Sequence, residues 1–404
     1  MTADRSYDII LFGATGFTGG LTAEYLAEHA PEKTRWAMAG RNQTKLEALR
    51  ERLTALNPAC KTLPLLHADV ADPGSIRAVA ESARVVITTV GPYISYGEPL
   101  VAACAAAGTD YVDLTGEQEF VDLMYVRHHE QAQATGARIV HACGFDSIPY
   151  DLGAYFTVQQ LPEDVPIRVE GFVRASGTAS GGTAHTVITV MSRARQTAQA
   201  ALARRRLEPA PAGRQVRIAK GLSRFAPRSV SPPWLRPTAP KGAWALPMPT
   251  IDPIVVTRSA RTLDRYGPDF CYGHFAAVEH LTSAVGAVVG VGALFALTQL
   301  PPTRNLLLRV KSPGDGPSPE KRAKSWFNVR FVGEGGGKRV VTEVAGGDPG
   351  YGETAKMVAE SALCLAYDDL PKTAGQVTTA VAMGNPLIAR LDRAGITFRV
   401  LKET

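Results

Sequence analysis

Cysteine is scarce in this 404-residue chain, and the five present do not cluster. Cys60, Cys104, Cys143, Cys271 and Cys364 form no CxxC pair and leave one unmatched. That spacing offers neither a disulfide framework nor a zinc site, so a reduced, cytoplasmic setting without a metal centre is expected. A separate apolar leader is missing too. The first apolar run, Ile9 to Phe12, stops at a glycine turn, so no signal peptide is expected. Acidic residues are short in one place: from Arg193 to Arg228, ten Lys or Arg stand against Glu208 alone, although the net charge is only +6. Such a stretch suits nucleic acid, anionic lipid or an acidic protein, or is simply a solvated face. No nucleic-acid motif accompanies it, which ranks that partner last.

What is present begins with an ordinary soluble composition, 45% hydrophobic and 20% charged, over a length that suits two domains. The chain is organised around Tyr7 to Gly20. There an apolar strand runs into Gly13-Ala14-Thr15-Gly16-Phe17-Thr18-Gly19, and a helix-compatible stretch follows. This is the strand, tight turn and helix of a dinucleotide-binding βαβ unit. Gly13 allows the turn, Gly16 lets backbone approach a pyrophosphate, and Gly19 lets the helix lie close to the strand. Free N–H groups of Thr15 to Thr18 then face the phosphates, aided by the helix dipole. The second strand, Arg35 to Arg41, ends without the Asp or Glu that would hold an NAD ribose. It ends in Arg41, with Asn42 next, and a guanidinium there favours a 2′-phosphate. NADP(H) is the expected cofactor.

Further strands are expected at Leu63 to Val70, Val85 to Val90, Asp110 to Leu114 and Arg138 to Cys143, separated by helical stretches. Asp69, at the end of the third strand, lies near the adenine or caps the helix that starts near Asp72. The fourth strand delivers Val90, Gly91, Pro92 and Tyr93 to the carboxyl edge of the sheet, where ligands of open α/β sheets bind. The fold class is therefore α/β: an N-terminal Rossmann doubly wound parallel sheet over 1–150. A second α+β domain, for substrate and oligomerisation, is expected over 151–345 with a mostly antiparallel sheet. It includes a hairpin, Ser325 to Val332 and Lys338 to Val344, joined by Gly333 to Gly337. Residues 346–404 are expected to be a helical segment that returns to the first domain. Prolines make 209–253 an irregular excursion.

Leu281 to Leu300 carries no charge. Twenty such residues reach the minimum for a membrane span, but Gly286, Gly290 and Gly292 weaken the helix and polar residues trim both ends. A buried or substrate-lining helix, attachment to a membrane surface and a span all stay open. The first two suit a lipid-like substrate.

The glycine motif, the Ala39-Gly40-Arg41 strand end and Val90-Gly91-Pro92-Tyr93 together resemble the saccharopine dehydrogenase-like oxidoreductases. More narrowly, Thr88 to Gly116 and His141 to Ser147 look like the trans-acting enoyl reductases, as do Gly347-Asp348-Pro349-Gly350-Tyr351 and Ala380 to Gly384. The likeness is dense over about 1–155 and thin around 205–325. It implies a Rossmann domain with an inserted second domain, NADP(H) as hydride source, and an acyl substrate on an acyl carrier protein or polyketide synthase that lacks its own enoyl reductase. An amino-acid or imine oxidoreductase and a non-catalytic NADP-binding protein at membranes or lipid stores remain as rivals.

Enoyl reduction needs a hydride at the β-carbon, a donor to the enolate oxygen and a proton for the α-carbon. Candidates come from the strand ends: Tyr93 foremost, then Tyr96, His141 and Asp146. Tyr93 could instead pack on the nicotinamide, His141 could be a core histidine, and Asp146 could cap backbone N–H groups of the 144–149 loop. No Tyr-x-x-x-Lys occurs, which argues against the short-chain dehydrogenase mechanism.

Overall fold

The computed structural model describes residues 5–176, 181–209, 213–219, 223, 244–248, 250–307 and 317–403. Seven parallel strands form the first sheet: β1 (Tyr7–Phe12), β2 (Trp36–Gly40), β3 (Leu65–His67), β4 (Ala83–Thr88), β5 (Asp110–Asp113), β6 (Arg138–Val140) and, from near the other end of the chain, β13 (Gly375–Val377). Their order is β13-β6-β5-β4-β1-β2-β3. Alternation along each strand feeds two cores. Ile9 and Leu11 face one side with Met38, Val85 and Ile87, while Ile10 and Phe12 face the other with Ala37 and Val86. Both faces are covered by helices, as a parallel sheet requires. This is the doubly wound Rossmann arrangement that the sequence implies.

The second sheet is mixed. It is built from β7 (Ile167–Ser176), β8 (Gln215–Ile218), β9 (Trp244–Pro247), β10 (Asp269–Val278), β11 (Trp326–Gly335), β12 (Lys338–Gly346) and β14 (Thr397–Glu403). Its order is β14-β12-β11-β7-β10-β8, with β9 on β10. The contacts β7·β11, β11·β12, β12·β14 and β9·β10 are antiparallel, whereas β10 is parallel to both β7 and β8. The β11–β12 hairpin is tighter than the expected Gly333–Gly337 turn. Pairing continues to Gly335 and Lys338, leaving Gly336 (φ 56°) and Gly337 (φ 79°) as the two central residues. Positive φ at both is the two-residue turn that matches strand twist. Most of the expected irregular excursion at 209–253 lies outside the described residues.

The helix Ile148–Val158 joins the two sheets. Its Gly153 lies so close to β11 that a Cβ there would come 2.4 Å from the Phe331 ring. Thr157 and Thr342 share a 2.6 Å hydroxyl contact on the same seam. Asp151 in that helix accepts from Ser259 Oγ (2.5 Å), Thr379 Oγ1 (2.6 Å) and the Ala380 N–H (2.8 Å). One carboxyl thus ties three segments far apart in sequence, and burial pushes it up to about 6 against those three donors.

Two expectations fail here. The helix Leu281–Gln299 is neither buried nor lining the interior: Val285, Val289, Val291, Phe295 and Leu297 are all more than 40% exposed. Nor is any described helix long and apolar enough to cross a membrane. The basic stretch is also partly structural. Arg204 is buried against Asp122 (2.5 Å) and pairs with Glu208, and Arg193 grips Glu119 at 2.6 Å. The helix Ala194–Leu207 packs on Gln118–Thr135 through these contacts. Arg214 and Arg217 pair with Asp264 and Asp269. Among the described arginines of the stretch, Arg195, Arg205 and Arg206 are the ones left exposed without an ion partner.

Because the Phe331 ring is itself fully buried and has no room to swing aside, Gly153→Ala should cost about 1–3 kcal/mol of unfolding free energy by overpacking. Denaturant titration checks this. An unchanged midpoint would mean the helix shifts freely over β11.

Candidate functional site

The carboxyl edge of the first sheet gathers the turns after β1 to β6. After Phe12 the chain enters a turn with Gly13 at φ 90°, and the helix Phe17–His29 starts at Gly16. A Cβ on Gly13 would sit 2.6 Å from the Val90 side chain, and one on Gly19 only 2.2 Å from the Gly13 carbonyl oxygen. Thr89 Oγ1 donates to that same carbonyl at 3.1 Å, stitching the β1 turn to the β4 turn. By contrast a Cβ on Gly16 would meet just one atom, at 3.4 Å, and Thr15 and Gly16 are exposed. No side chain caps this helix and no acid occupies its first turn. Its leading N–H groups therefore point at open space, the arrangement a phosphate anion fills.

Arg41 lies exposed just past β2 and has no hydrogen-bond or ion partner among the described residues. Asn42 is partly spent on the protein itself: its Oδ1 caps the next helix by accepting from Lys45 N–H (3.0 Å). Asp69 accepts from Ala71 N–H in a local turn (2.9 Å), and the helix cap falls to Asp72, which accepts from Gly74 N–H. Val90 and Pro92 are half-buried and Gly91 is exposed along the same rim. Two groups join the glycine turn that sequence reading does not place there. Arg322 lies over the Phe17 ring at 5.9 Å with its Nε unpaired, and Tyr351 meets that ring edge-on at 5.0 Å with its buried hydroxyl unpaired. Tyr351 belongs to the Gly347–Tyr351 motif already singled out; Arg322 sits in the region where no motif stands out.

The catalytic candidates separate sharply. Tyr93 is 7% exposed, and its hydroxyl donates to the Thr88 carbonyl (3.1 Å) while accepting from the Leu114 N–H (3.2 Å). Burial pushes it well above the usual phenol range. Glu117 accepts from the Tyr93 and Ile94 N–H groups at 2.9 and 2.8 Å, fixing the short helix Tyr93–Tyr96. On that helix Tyr96 is the tyrosine open to solvent, at 46% exposure. His141 lies just beyond β6, a strand shorter than expected because Ala142 takes φ 60°. Its Nδ1 meets Asp113 at 2.6 Å, and Asp113 also accepts from Tyr111 and from the Ala142 N–H. The ring is packed against Tyr111 and Phe120. Its Nε2 is unpaired beside a small cavity lined by Val121, Ile251, Val255, Arg258, Gln376 and Thr378.

Asp146 is different from all of these. The loop that carries it is closed by other bonds: Ser147 and Ile148 N–H donate to the Gly144 carbonyl, and Phe145 N–H donates to Thr354 Oγ1. No donor reaches the Asp146 carboxyl among the described residues, so the expected loop-capping role is not the one observed. The side chain is exposed and lies beside Gly116 at the end of β5, where a Cβ on that glycine would come 3.0 Å from its Oδ2. Partial loss of water to the surrounding protein, reinforced by the nearby Asp252, pushes it up to about 7 even so. Asp252 itself is buried, accepts from Thr250 Oγ1 (2.5 Å), lies 3.4 Å from His274 Nε2 and keeps one oxygen unpaired. His274 in turn contacts the Tyr272 hydroxyl at 3.2 Å and the Tyr150 ring at 4.8 Å. Sequence reading misses Asp252 and His274, which stand over 100 residues away in unremarkable local sequence.

Known proteins match this arrangement. Residues 9–140 fit the saccharopine dehydrogenase NADP binding domain model. A Mycobacterium tuberculosis protein provisionally named a trans-acting enoyl reductase is 40% identical, covering 100% of this chain and 99% of its own. The chain belongs to the trans-acting enoyl reductase family. Named members in Mycobacterium bovis and Mycobacterium ulcerans are each 36% identical across 98% of this chain, and across 97% and 98% of their own lengths. Saccharopine dehydrogenase of Saccharomyces cerevisiae has the same fold, with TM-score 0.54 at 14% identity over 98% of this chain and 99% of that one. This chain is thus an NADP-dependent oxidoreductase on a saccharopine dehydrogenase-like scaffold, and the bare helix N-terminus with an exposed Arg41 fits that cofactor.

Arg41→Asp in this reductase should lower the NADPH-over-NADH preference by about ten- to a hundredfold, the worth of one charge-assisted contact. Cofactor dissociation constants read this directly. An unchanged ratio would remove Arg41 from the 2′-phosphate site.

Proposed function

We propose that this enzyme reduces the carbon–carbon double bond of an enoyl thioester carried by an acyl carrier protein or polyketide synthase, with Asp146 as the proton donor. The observation that carries this is the exposed Asp146 carboxyl, reached by no donor among the described residues, beside Gly116 at the end of β5 and raised to about 7 by the surrounding protein and the neighbouring Asp252. Bound NADPH supplies a hydride to the β-carbon. The residues of the chain must then bind and orient the thioester and deliver one proton to the α-carbon, so that substrate, hydride and proton balance as the saturated acyl chain. A carboxyl that is still protonated near neutral pH suits that task, because catalytic acids work best with a pKa near the operating pH. Asp252 acts as a positioning residue. Its charge discourages ionisation of Asp146, and Thr250 and His274 hold it in place. Tyr96 is the hydroxyl free to donate to the enolate oxygen, whereas Tyr93 serves to fix the β4 and β5 turns. His141 and Asp113 brace the end of β6.

The carrier is read from surface charge. Arg195, Arg205 and Arg206, with Leu202 and Leu207 exposed beside them, offer a basic and partly apolar face to an acidic carrier protein. The compartment is read as cytoplasmic.

The sign of the pH dependence follows from the raised acid. Asp146 holds its proton below about 7, so turnover should be full below that pH and fall above it. Asp146→Asn should lower kcat on the order of 10²-fold or more and abolish this falling limb. Asp252→Asn removes the neighbouring charge, so the limb should move to lower pH with NADPH affinity unchanged. Profiles that keep the same limb in both variants would sink the assignment.

Reversing the three exposed arginines together (Arg195→Glu, Arg205→Glu, Arg206→Glu) should raise KM about tenfold for a carrier-bound enoyl substrate, a loss of roughly 1.4 kcal/mol. KM for a small soluble crotonyl thioester should not move. Equal effects on both substrates, or none on either, would remove the docking face.

A further inference from the structure

The helix Leu281–Gln299 presents a surface that the reductase reaction does not use. On it Val285 is 53% exposed, Val289 64%, Val291 52%, Phe295 44% and Leu297 43%; Leu300 (59%) and Leu306 (65%) follow directly. No charge occurs from 281 to 300. With 3.6 residues per turn these side chains fan around more than half of the helix circumference instead of forming one stripe. The helix is tethered along one side, with Thr298 buried and the Gln299 side chain donating to the Met191 carbonyl (3.0 Å) of the helix Gly181–Ser192. Monomeric soluble proteins rarely leave so many contiguous apolar side chains in water. A protein groove would cover one face of such a helix, while the acyl region of a bilayer can cover several at once.

Its flank supplies the matching charge. Arg304 follows on the short helix Pro301–Leu307, and Arg309 and Lys311 come next in sequence without an intervening acid. A charge-free apolar helix bordered by cations on one side suits the boundary between acyl chains and anionic headgroups. No described helix is long and apolar enough to cross a bilayer, so the geometry is one of surface insertion. The strand that leads into the helix is β10, which carries His274. The apolar helix therefore begins seven residues past His274.

We infer that residues 281–307 form a peripheral membrane anchor that inserts into the interfacial zone of an anionic bilayer and holds the end of β10 close to a lipid surface. This does not depend on the chemistry proposed for Asp146. The test uses the full chain with two kinds of vesicle, pure phosphatidylcholine and phosphatidylcholine with phosphatidylglycerol, in flotation gradients. The protein should float with the anionic vesicles and more weakly with the neutral ones. The variant Val289→Asp/Phe295→Asp, altered only at exposed positions, should bind at least about tenfold more weakly while turning over a small soluble thioester at the normal rate. Failure of the wild-type chain to float with either vesicle would overturn the anchor, as would equal flotation of the variant. Light scattering reports the rival occupant: a wild-type dimer that the same two substitutions split, with no flotation, assigns the face to a second copy instead.

Discussion

The Gly13 carbonyl oxygen lies where a side chain on Gly19 would begin, and Thr89 donates to that same oxygen. This triple approach of the β1 turn, the first helix and the β4 turn is the constraint on which the cofactor site depends. It draws the helix under the turn so that its uncapped N–H groups emerge beside Thr15 and Gly16, and it anchors the rim that continues through Val90 to Pro92. A methyl group at position 19 would separate the three pieces. Everything downstream, from the exposed Arg41 past β2 to the placement of Asp146 beside Gly116, uses the sheet edge that this contact aligns.

The acid proposed for the reaction stands where two differently built halves meet. The Rossmann sheet contributes the loop of Asp146, while Asp252 and His274 come from a helix and a strand of the mixed sheet. Burial alone leaves a carboxyl reluctant to ionise; a second carboxyl close by strengthens that reluctance. The raised pKa of Asp146 therefore depends on the packing between halves, and the seam of Gly153, Phe331, Thr157 and Thr342 helps to set the distance between them.

Much of the first sheet was legible because parallel strands buried on both faces are short apolar runs ended or closely followed by glycine, and β1, β2 and β4 read that way. The catalytic candidates were harder. Tyr93 and Tyr96 are three residues apart on one short helix, yet one is locked between backbone groups and the other open, a difference that turns on contacts with Thr88 and Leu114. Asp146 could equally have been a loop cap, and only the pairing of Gly144 with Ser147 and Ile148 releases it. Asp252, His274 and Arg322 carry no local signature, since their meaning arises from positions more than 100 residues distant. The apolar helix shows the same limit from the opposite side. Composition alone cannot tell a core helix from an exposed one, because both are free of charge.

The seventh strand of the cofactor sheet has a further consequence. β13 pairs with β6 through Gly375 and Arg138, so the edge of the N-terminal sheet is supplied by residues made more than 200 positions after β6. Until they emerge from the ribosome, β6 presents unpaired N–H and C=O groups to its surroundings, a template for pairing with other chains. Completion of the nucleotide-binding half is in this way delayed until the chain has been made past Val377, and a chain broken off before that leaves a ragged, adhesive border instead of a smaller working domain.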